Sequence, residues 1–192
     1  MVGSLRYLCN TSLDIAYSVG LISRYIEKPR APHYLAAKRI LRYIKETSEF
    51  GLHYARNQTG IEAGLVGFTD SDWCGDKDDR KNNSHYVFLI NESLISWCSR
   101  KQSILALSTC EAEYMVASIG ACQAIWLTEL MAELRLRGNE VVKMKIDNKS
   151  TIDLARHPSV HGRSNHIETK FHFLIEQVMK DKIKLEHCST ND

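Results

Sequence analysis

The 192-residue sequence has six cysteines but no Cys-x-x-C pair. Cys9, Cys74, Cys98, Cys110, Cys122 and Cys188 are scattered, which argues against a structural zinc site and offers no disulfide framework. Nothing at the N-terminus has the pattern of a secretory signal. No apolar run approaches the ~18 residues of a membrane span. The expectation is an intracellular, reduced protein with no membrane partner. Internal repeats and low-complexity tracts are also missing. Net charge is slight, 25 basic residues against 23 acidic, so the balance of charge points to no particular partner.

What is present is ordinary globular composition, 44% hydrophobic and 25% charged. The distribution of charge is more informative than its sum. Eight Lys and Arg face three Glu between Arg24 and Arg56, and five Asp follow between Asp70 and Arg80. A basic segment beside an acidic knot suits phosphate contact next to metal chemistry, and equally suits two solvated surfaces.

Periodicity divides the chain. Residues 12–27 read as a helix with Ala16, Val19, Ile22 and Ile26 on one side, Thr11 as its cap and Pro29 as its stop. A second helix spans about 32–46, its apolar stripe Ala37, Ile40, Leu41 and Ile44, with Lys38, Arg42 and Lys45 on another face. Two helices bury little surface alone, so this unit is expected to dock on something. Residues 57–64 read as a linker. Strands are then expected at 65–73, 86–90 and 94–98, the last two as a hairpin through Asn91-Glu92-Ser93. A long helix follows over about 108–136, with Ala112, Met115, Val116, Ile119, Cys122, Trp126, Leu130 and Leu134 as its buried face. A strand at 141–147, a short helix through 152–155, a helix capped by Asn165 and a strand at 183–187 complete an α/β arrangement.

Several carboxylates fall where chemistry would want them. Asp70 and Asp72 share one face of the first strand, because side chains alternate with period two. Asp147 ends the fourth strand, where open α/β sheets place ligands. Ser108-Thr109-Cys110-Glu111 forms a capping box in which Glu111 turns back to the N-cap amide. Glu111 thus has a structural task, and Glu113 is the better ligand candidate. Carboxylates from separate elements suit Mg²⁺, with Mn²⁺ as a substitute. His157, His161, His166 and His172 lack the i, i+4 spacing of a zinc helix and are expected to be polar surface or phosphate contacts.

Longer strings then carry a family resemblance. Phe68-Thr69-Asp70-Ser71-Asp72-Trp73, Ile95-Ser96-Trp97-Cys98-Ser99-Arg100-Lys101-Gln102, Leu107-Ser108-Thr109-Cys110-Glu111-Ala112-Glu113-Tyr114, Asp147-Asn148-Lys149-Ser150 and His161-Gly162-Arg163-Ser164-Asn165-His166-Ile167 resemble the ribonuclease H domain of copia-type LTR-retrotransposon Pol polyproteins. Met1-Val2-Gly3-Ser4-Leu5-Arg6-Tyr7-Leu8 and Ala36-Ala37-Lys38-Arg39-Ile40-Leu41-Arg42-Tyr43 look like the end of the preceding reverse transcriptase. The resemblance implies a ribonuclease H-like mixed five-stranded sheet, its first three strands antiparallel, with packed helices. It implies residues 1–56 as a reverse-transcriptase tail, a linker at 57–64 and a ribonuclease H-like domain at 65–192, truncated at its C-terminus.

The implied activity is hydrolysis of the RNA strand of an RNA–DNA hybrid. Asp70, Glu113 and Asp147 would serve as catalytic metal ligands, with Arg100, Lys101, Lys38, Arg42 and Lys45 as phosphate contacts. The implied partners are the hybrid and the reverse transcriptase portion of the parent polyprotein. The family's further aspartate, beyond the last strand, is not reached, so the competing expectation is a remnant that keeps the fold and at most binds nucleic acid. The family's Ser-Thr-Ser-Gly stands here as Asn82-Asn83-Ser84-His85, where losing the glycine would strain any turn that needs positive φ.

Overall fold

The computed structural model describes residues 1–54, 64–72, 81–136, 138, 141–157 and 165–189, the side chains of 165–171 excepted. Five strands form one mixed sheet: β1 (Leu65–Asp72), β2 (Asn83–Ile90), β3 (Ser93–Lys101), β4 (Val142–Ile146) and β5 (Ile183–His187), in the order β3-β2-β1-β4-β5. β1, β2 and β3 pair antiparallel, while β4 joins β1 and β5 joins β4 in parallel. Central β1 therefore connects the hairpin to the parallel half.

β2 and β3 run longer than their apolar alternation indicates. Their register continues to Ser84 opposite Arg100 and Asn83 opposite Lys101. Asn82, Asn83 and Ser84 are buried, although their composition suggests a loop. The missing glycine strains nothing: His85 lies in extended backbone opposite Asp70, and no positive φ occurs there. The hairpin is different. Asn91 and Glu92 have φ of 47° and 68°, the two-residue turn whose twist matches the flanking strands. Asn tolerates that conformation, whereas Glu adopts it at a cost.

The long helix is α4 (Thr109–Glu133). Ser108 caps it, its hydroxyl accepting from the Glu111 amide at 3.1 Å. Glu111 turns back as expected but reaches one residue further, accepting from the Leu107 amide at 2.8 Å. The expected buried face is corrected in the second half of the helix. Trp126 and Leu134 are 55% and 61% exposed, and Cys122 is exposed. Gly120, Ala121, Ala124, Leu127 and Met131 lie inside instead. Small residues let the helix axis approach the sheet, so the largest apolar residues are not the ones that pack. By length and composition α4 is apolar enough to cross a membrane, yet it lies on the sheet and buries two carboxylates, Glu111 and Glu113. The sheet core joins Leu65, Phe88, Tyr114, Met144, Ile146, Leu174, Ile183 and Leu185. Gly67 makes room for Phe88, since a Cβ there would fall 2.5 Å from its ring.

Downstream, α5 (Lys149–Arg156) is capped by Asn148, whose side chain accepts from the Thr151 amide. α6 (Asn165–Met179) packs on α4. Ile167 and Phe171 of its expected stripe lie outside the described side chains; Leu174 is buried.

The N-terminal unit departs more from expectation. Residues 12–27 are not one helix. α1 (Val2–Leu8) precedes a 3₁₀ turn (Leu13–Ile15) and α2 (Ala16–Ser23). Thr11 closes the first helix rather than capping the next, its hydroxyl donating to the Leu8 carbonyl. With α3 (Ala31–Glu46), these helices enclose Leu5, Ile15, Val19, Ile22, Ala37 and Ile40. Ile26 and Leu41, expected inside, are 51% and 42% exposed. The unit docks on the sheet through β3. Trp97 Nε1 donates to the Cys9 carbonyl at 2.9 Å, and Arg24 donates to Asn83 Oδ1. Ser96, next to Trp97 and on the opposite face, accepts instead from Gln123 of α4 at 3.2 Å. The sheet therefore carries α4 on one face and α2 on the other.

Candidate metal centre

The C-terminal ends of β1 and β4 lie side by side because these strands are parallel and adjacent. Asp70 stands near the end of β1, and Asp147 is the first residue after β4. α4 starts over the same end, and Gly120 lets it lie close: a Cβ there would meet Thr69 Cγ2 at 2.8 Å and Met144 Cε at 2.9 Å. Glu113, in the second turn of α4, then points to the strand ends. One ligand atom each from Asp70, Glu113 and Asp147 lie within 4.8 Å of one another. Among the described residues this is the one such cluster, and it contains no His or Cys. The structure thus brings together the three carboxylates singled out in the sequence.

Their electrostatics are those of like charges crowded together. Glu113 is 4% exposed. Its Oε1 accepts from the Ser71 amide at 2.8 Å, while Oε2 is buried with no hydrogen-bond partner. Burial, then the charges of Asp147 and Asp70, pushes its carboxyl up to about 8, against the smaller downward pull of the Ser71 amide. Asp70 is more open, and its pKa is raised too, by desolvation first and then by Asp147 and Asp72. A buried, unpaired carboxylate oxygen beside two further carboxylates is a poor arrangement for a protein alone. A divalent cation with oxygen preference would satisfy all three, so the residues present fit such an ion.

The surroundings are polar. Ser71, Thr109, Glu113, Asp147, Asn148, Lys149 and His187 line a depression of about 440 Å³. His187 lies outside the histidine cluster at 157–172 and is not among the candidates named from the sequence. It pairs with Ile146 at the end of β5, and that position was itself the available signal. His157 and His172 are exposed; His161 and His166 lie outside the described side chains. His85 Nε2 stands 3.6 Å from Asp72 Oδ2, so Asp72 faces His85 beside the cluster.

A second missed residue is Gln102. It is buried at the end of β3, and its Nε2 lies within hydrogen-bond distance of Ser84 Oγ (3.0 Å), the Ala112 carbonyl (3.2 Å) and Ser71 Oγ (3.3 Å). It joins β1, β2 and the first turn of α4, the elements that position Asp70 and Glu113.

The expected phosphate contacts separate into two groups. Arg100 and Lys101 end β3 and line a cleft against α1 and α2. Lys38, Arg42 and Lys45 are exposed on α3, and none of them lines the carboxylate depression. Lys38 Nζ rests 4.6 Å from the Tyr34 ring centroid.

Comparison with known proteins is consistent with this arrangement. No protein-family profile matches the chain. Over all 192 residues it is 39% identical to the retrovirus-related Pol polyprotein from transposon TNT 1-94 of Nicotiana tabacum, covering 14% of that protein. Over the same span it is 34% identical to the one from transposon RE1 of Arabidopsis thaliana, covering 13%. The chain therefore spans about a seventh of the length of these curated relatives. Among solved structures, the foamy viral protease-reverse transcriptase in complex with double-stranded DNA superposes with a TM-score of 0.61 at 10% identity, over 98% of this chain and 37% of that one. That likeness shows a shared fold for the helical unit and the sheet together. The sheet is mixed and five-stranded, of the α/β class, in the order β3-β2-β1-β4-β5. Over its whole length the chain is similar to the Pol polyproteins of copia-type retrotransposons.

Proposed function

We propose that the chain hydrolyses the RNA strand of an RNA–DNA hybrid, using Asp70, Glu113 and Asp147 to hold Mg²⁺, with Mn²⁺ able to substitute. The observation that carries this reading is the convergence of the three carboxylates within 4.8 Å, one of them buried with an unpaired oxygen. When bound, such ions supply an activated water and stabilise the leaving oxygen. The remaining roles belong to the chain. The Ser71 amide fixes the rotamer of Glu113, leaving Oε2 for the ion. Asn148, Lys149 and His187 border the depression and offer polar contacts to a phosphodiester. Selection of RNA over DNA would rest on hybrid shape and the 2′-hydroxyl rather than on base sequence.

In this reading residues 1–56 are the end of a reverse transcriptase and 65–192 the nuclease domain, joined at 57–64, in an intracellular setting. The reverse transcriptase portion of the polyprotein is the partner. Exposed apolar residues on the N-terminal unit, among them Tyr7 and Leu35 at 76% and 63%, suit such a contact.

The test is cleavage of a labelled RNA–DNA hybrid by the purified chain in Mg²⁺ and in Mn²⁺, beside double-stranded DNA and double-stranded RNA. Cleavage confined to the RNA of the hybrid, and lost in Asp70→Asn, is the expected result. A folded wild-type chain that cleaves nothing with either ion overturns the reading.

A further inference from the structure

Asp72 shares a sheet face with Asp70, two residues along β1, yet it is not one of the three carboxylates that converge. Its neighbours on β2 account for where it goes instead. Asp70 stands directly opposite His85, and Asp72 directly opposite Asn83. The Asn83 amide makes no bond to Asp72: its Oδ1 accepts from Arg24 of α2, and its Nδ2 has no partner. Asp72 leans to the diagonal neighbour, with Oδ2 at 3.6 Å from His85 Nε2. His85 also lines, with Asp70 and Asp147, a depression of about 230 Å³ on this face. Behind burial and the charge of Asp147, Asp72 pushes the Asp70 carboxyl up and His85 pulls it down, so both are within electrostatic reach of the centre.

His85 is steadied in turn by the helical unit. The Tyr17 ring of α2 lies against its imidazole, with centroids 5.9 Å apart and planes at 47°, within the range of an aromatic pair. α2 thus touches both residues that face Asp70 and Asp72: Tyr17 meets His85, and Arg24 meets Asn83. The family string that this segment resembles has glycine where His85 stands, a residue with no side chain to reach an acid. The device therefore belongs to this chain and not to the family pattern.

We propose that Tyr17 and His85 are positioning residues: the imidazole, braced by the Tyr17 ring, keeps the Asp72 carboxylate off the cation site formed by Asp70, Glu113 and Asp147. Three protein carboxylates rather than four leave a divalent ion more positions for substrate oxygens and water. The inference rests on the cation reading above and places a control of that site in the N-terminal unit. Because α2 supplies the ring, ion affinity and docking of that unit are coupled, each affecting the other equally.

The test is a double-mutant cycle read by Mn²⁺ binding to the full chain, followed by electron paramagnetic resonance. His85→Ala frees Asp72 to join the site, and affinity is expected to rise about threefold, the size of an exposed ion pair. Asp72→Asn removes no ligand and changes affinity less, and in that background His85→Ala has no further effect. Tyr17→Leu moves affinity in the same direction as His85→Ala, whereas Tyr17→Phe keeps the ring and does not. In EDTA, the His85 ring protons are expected to shift in NMR spectra of both Asp72→Asn and Tyr17→Leu. A histidine that only stabilised β2 would act equally whether or not residue 72 carries a charge.

An effect of His85→Ala that persists in the Asp72→Asn background overturns the inference and leaves the cation site standing. So does wild-type affinity in both His85→Ala and Tyr17→Leu. A loss in Asp72→Asn as great as in Asp70→Asn makes Asp72 a ligand and also overturns it. No Mn²⁺ bound by the wild type overturns the cation reading and this inference together.

Discussion

Gly120 of α4 lies so close to Thr69 of β1 that a Cβ there would fall 2.8 Å from Thr69 Cγ2. Seven residues, about two helical turns, separate Gly120 from Glu113, so the contact that sets the height of the helix also sets where the glutamate arrives. Gly120→Ala gains up to about 1 kcal/mol of helix propensity and loses about 1–3 kcal/mol to overpacking. Overpacking is expected to win: thermal melting falls, and divalent-ion affinity falls with it because Glu113 is displaced. Unchanged melting and unchanged ion affinity would show that α4 does not depend on this approach.

The protonation of Glu113 gives a pH dependence with a definite sign. Its carboxyl titrates at about 8 in the folded chain against 4.5 when free, so the folded state holds the proton more tightly. Stability from this group is fully present below 4.5 and is lost as pH rises through 8. Without divalent ions, the melting temperature is expected to decline between pH 5 and 9. Glu113→Gln, which keeps an acceptor for the Ser71 amide, flattens that decline. Mg²⁺ raises the melting temperature more at pH 8 than at pH 6, because binding the ion displaces a proton. A wild-type profile as flat as that of Glu113→Gln contradicts the assignment.

Gln102 positions rather than reacts. Its Nε2 carries two hydrogens, so removing the side chain takes a donor from two of the three acceptors around it, Ser84 Oγ, Ser71 Oγ and the Ala112 carbonyl. Gln102→Ala is expected to cost about 2–3 kcal/mol and to reduce hybrid cleavage by loosening the start of α4 against β1. Ser108→Ala removes only the cap, costs about 1 kcal/mol, and leaves Glu113 in place. Urea unfolding beside cleavage rates distinguishes them. Equal rates in the two variants would remove the positioning role.

The hairpin offers a change in the stabilising direction. Glu92 sits at φ 68°, a conformation glycine adopts freely. Glu92→Gly is expected to raise stability by about 1 kcal/mol without altering ion binding. Loss of stability would mean that the Glu92 side chain contributes a contact.

The mixed sheet with its first three strands antiparallel, and the three carboxylates, were legible because alternation, strand ends and family strings agreed on them; the strand order was not. The errors have physical causes. Large apolar side chains drew attention to Trp126 and Leu134, whereas close helix–sheet approach selects Gly120 and Ala124. Asn82, Asn83 and Ser84 read as a turn, yet their polar groups are buried in the end of the hairpin. That arrangement needs the partner strand and Gln102, which no local pattern reveals. α1 was missed because seven residues are too few for periodicity, and its stability comes from packing Leu5 against α2 and α3. Glu111 and Glu113 were separable in advance: capping gave one a structural partner and left the other for the centre.

Hydrolysis as proposed requires Asp70, Glu113 and Asp147 to act as one cation site. Mn²⁺ titration of the full chain, followed by electron paramagnetic resonance at pH 8, reads this directly. The expected result is saturable binding in the wild type that is lost in Asp70→Asn, in Glu113→Gln and in Asp147→Asn, with Glu111→Gln binding normally. Binding that persists in all three substituted proteins, or no binding by the wild type, would contradict it.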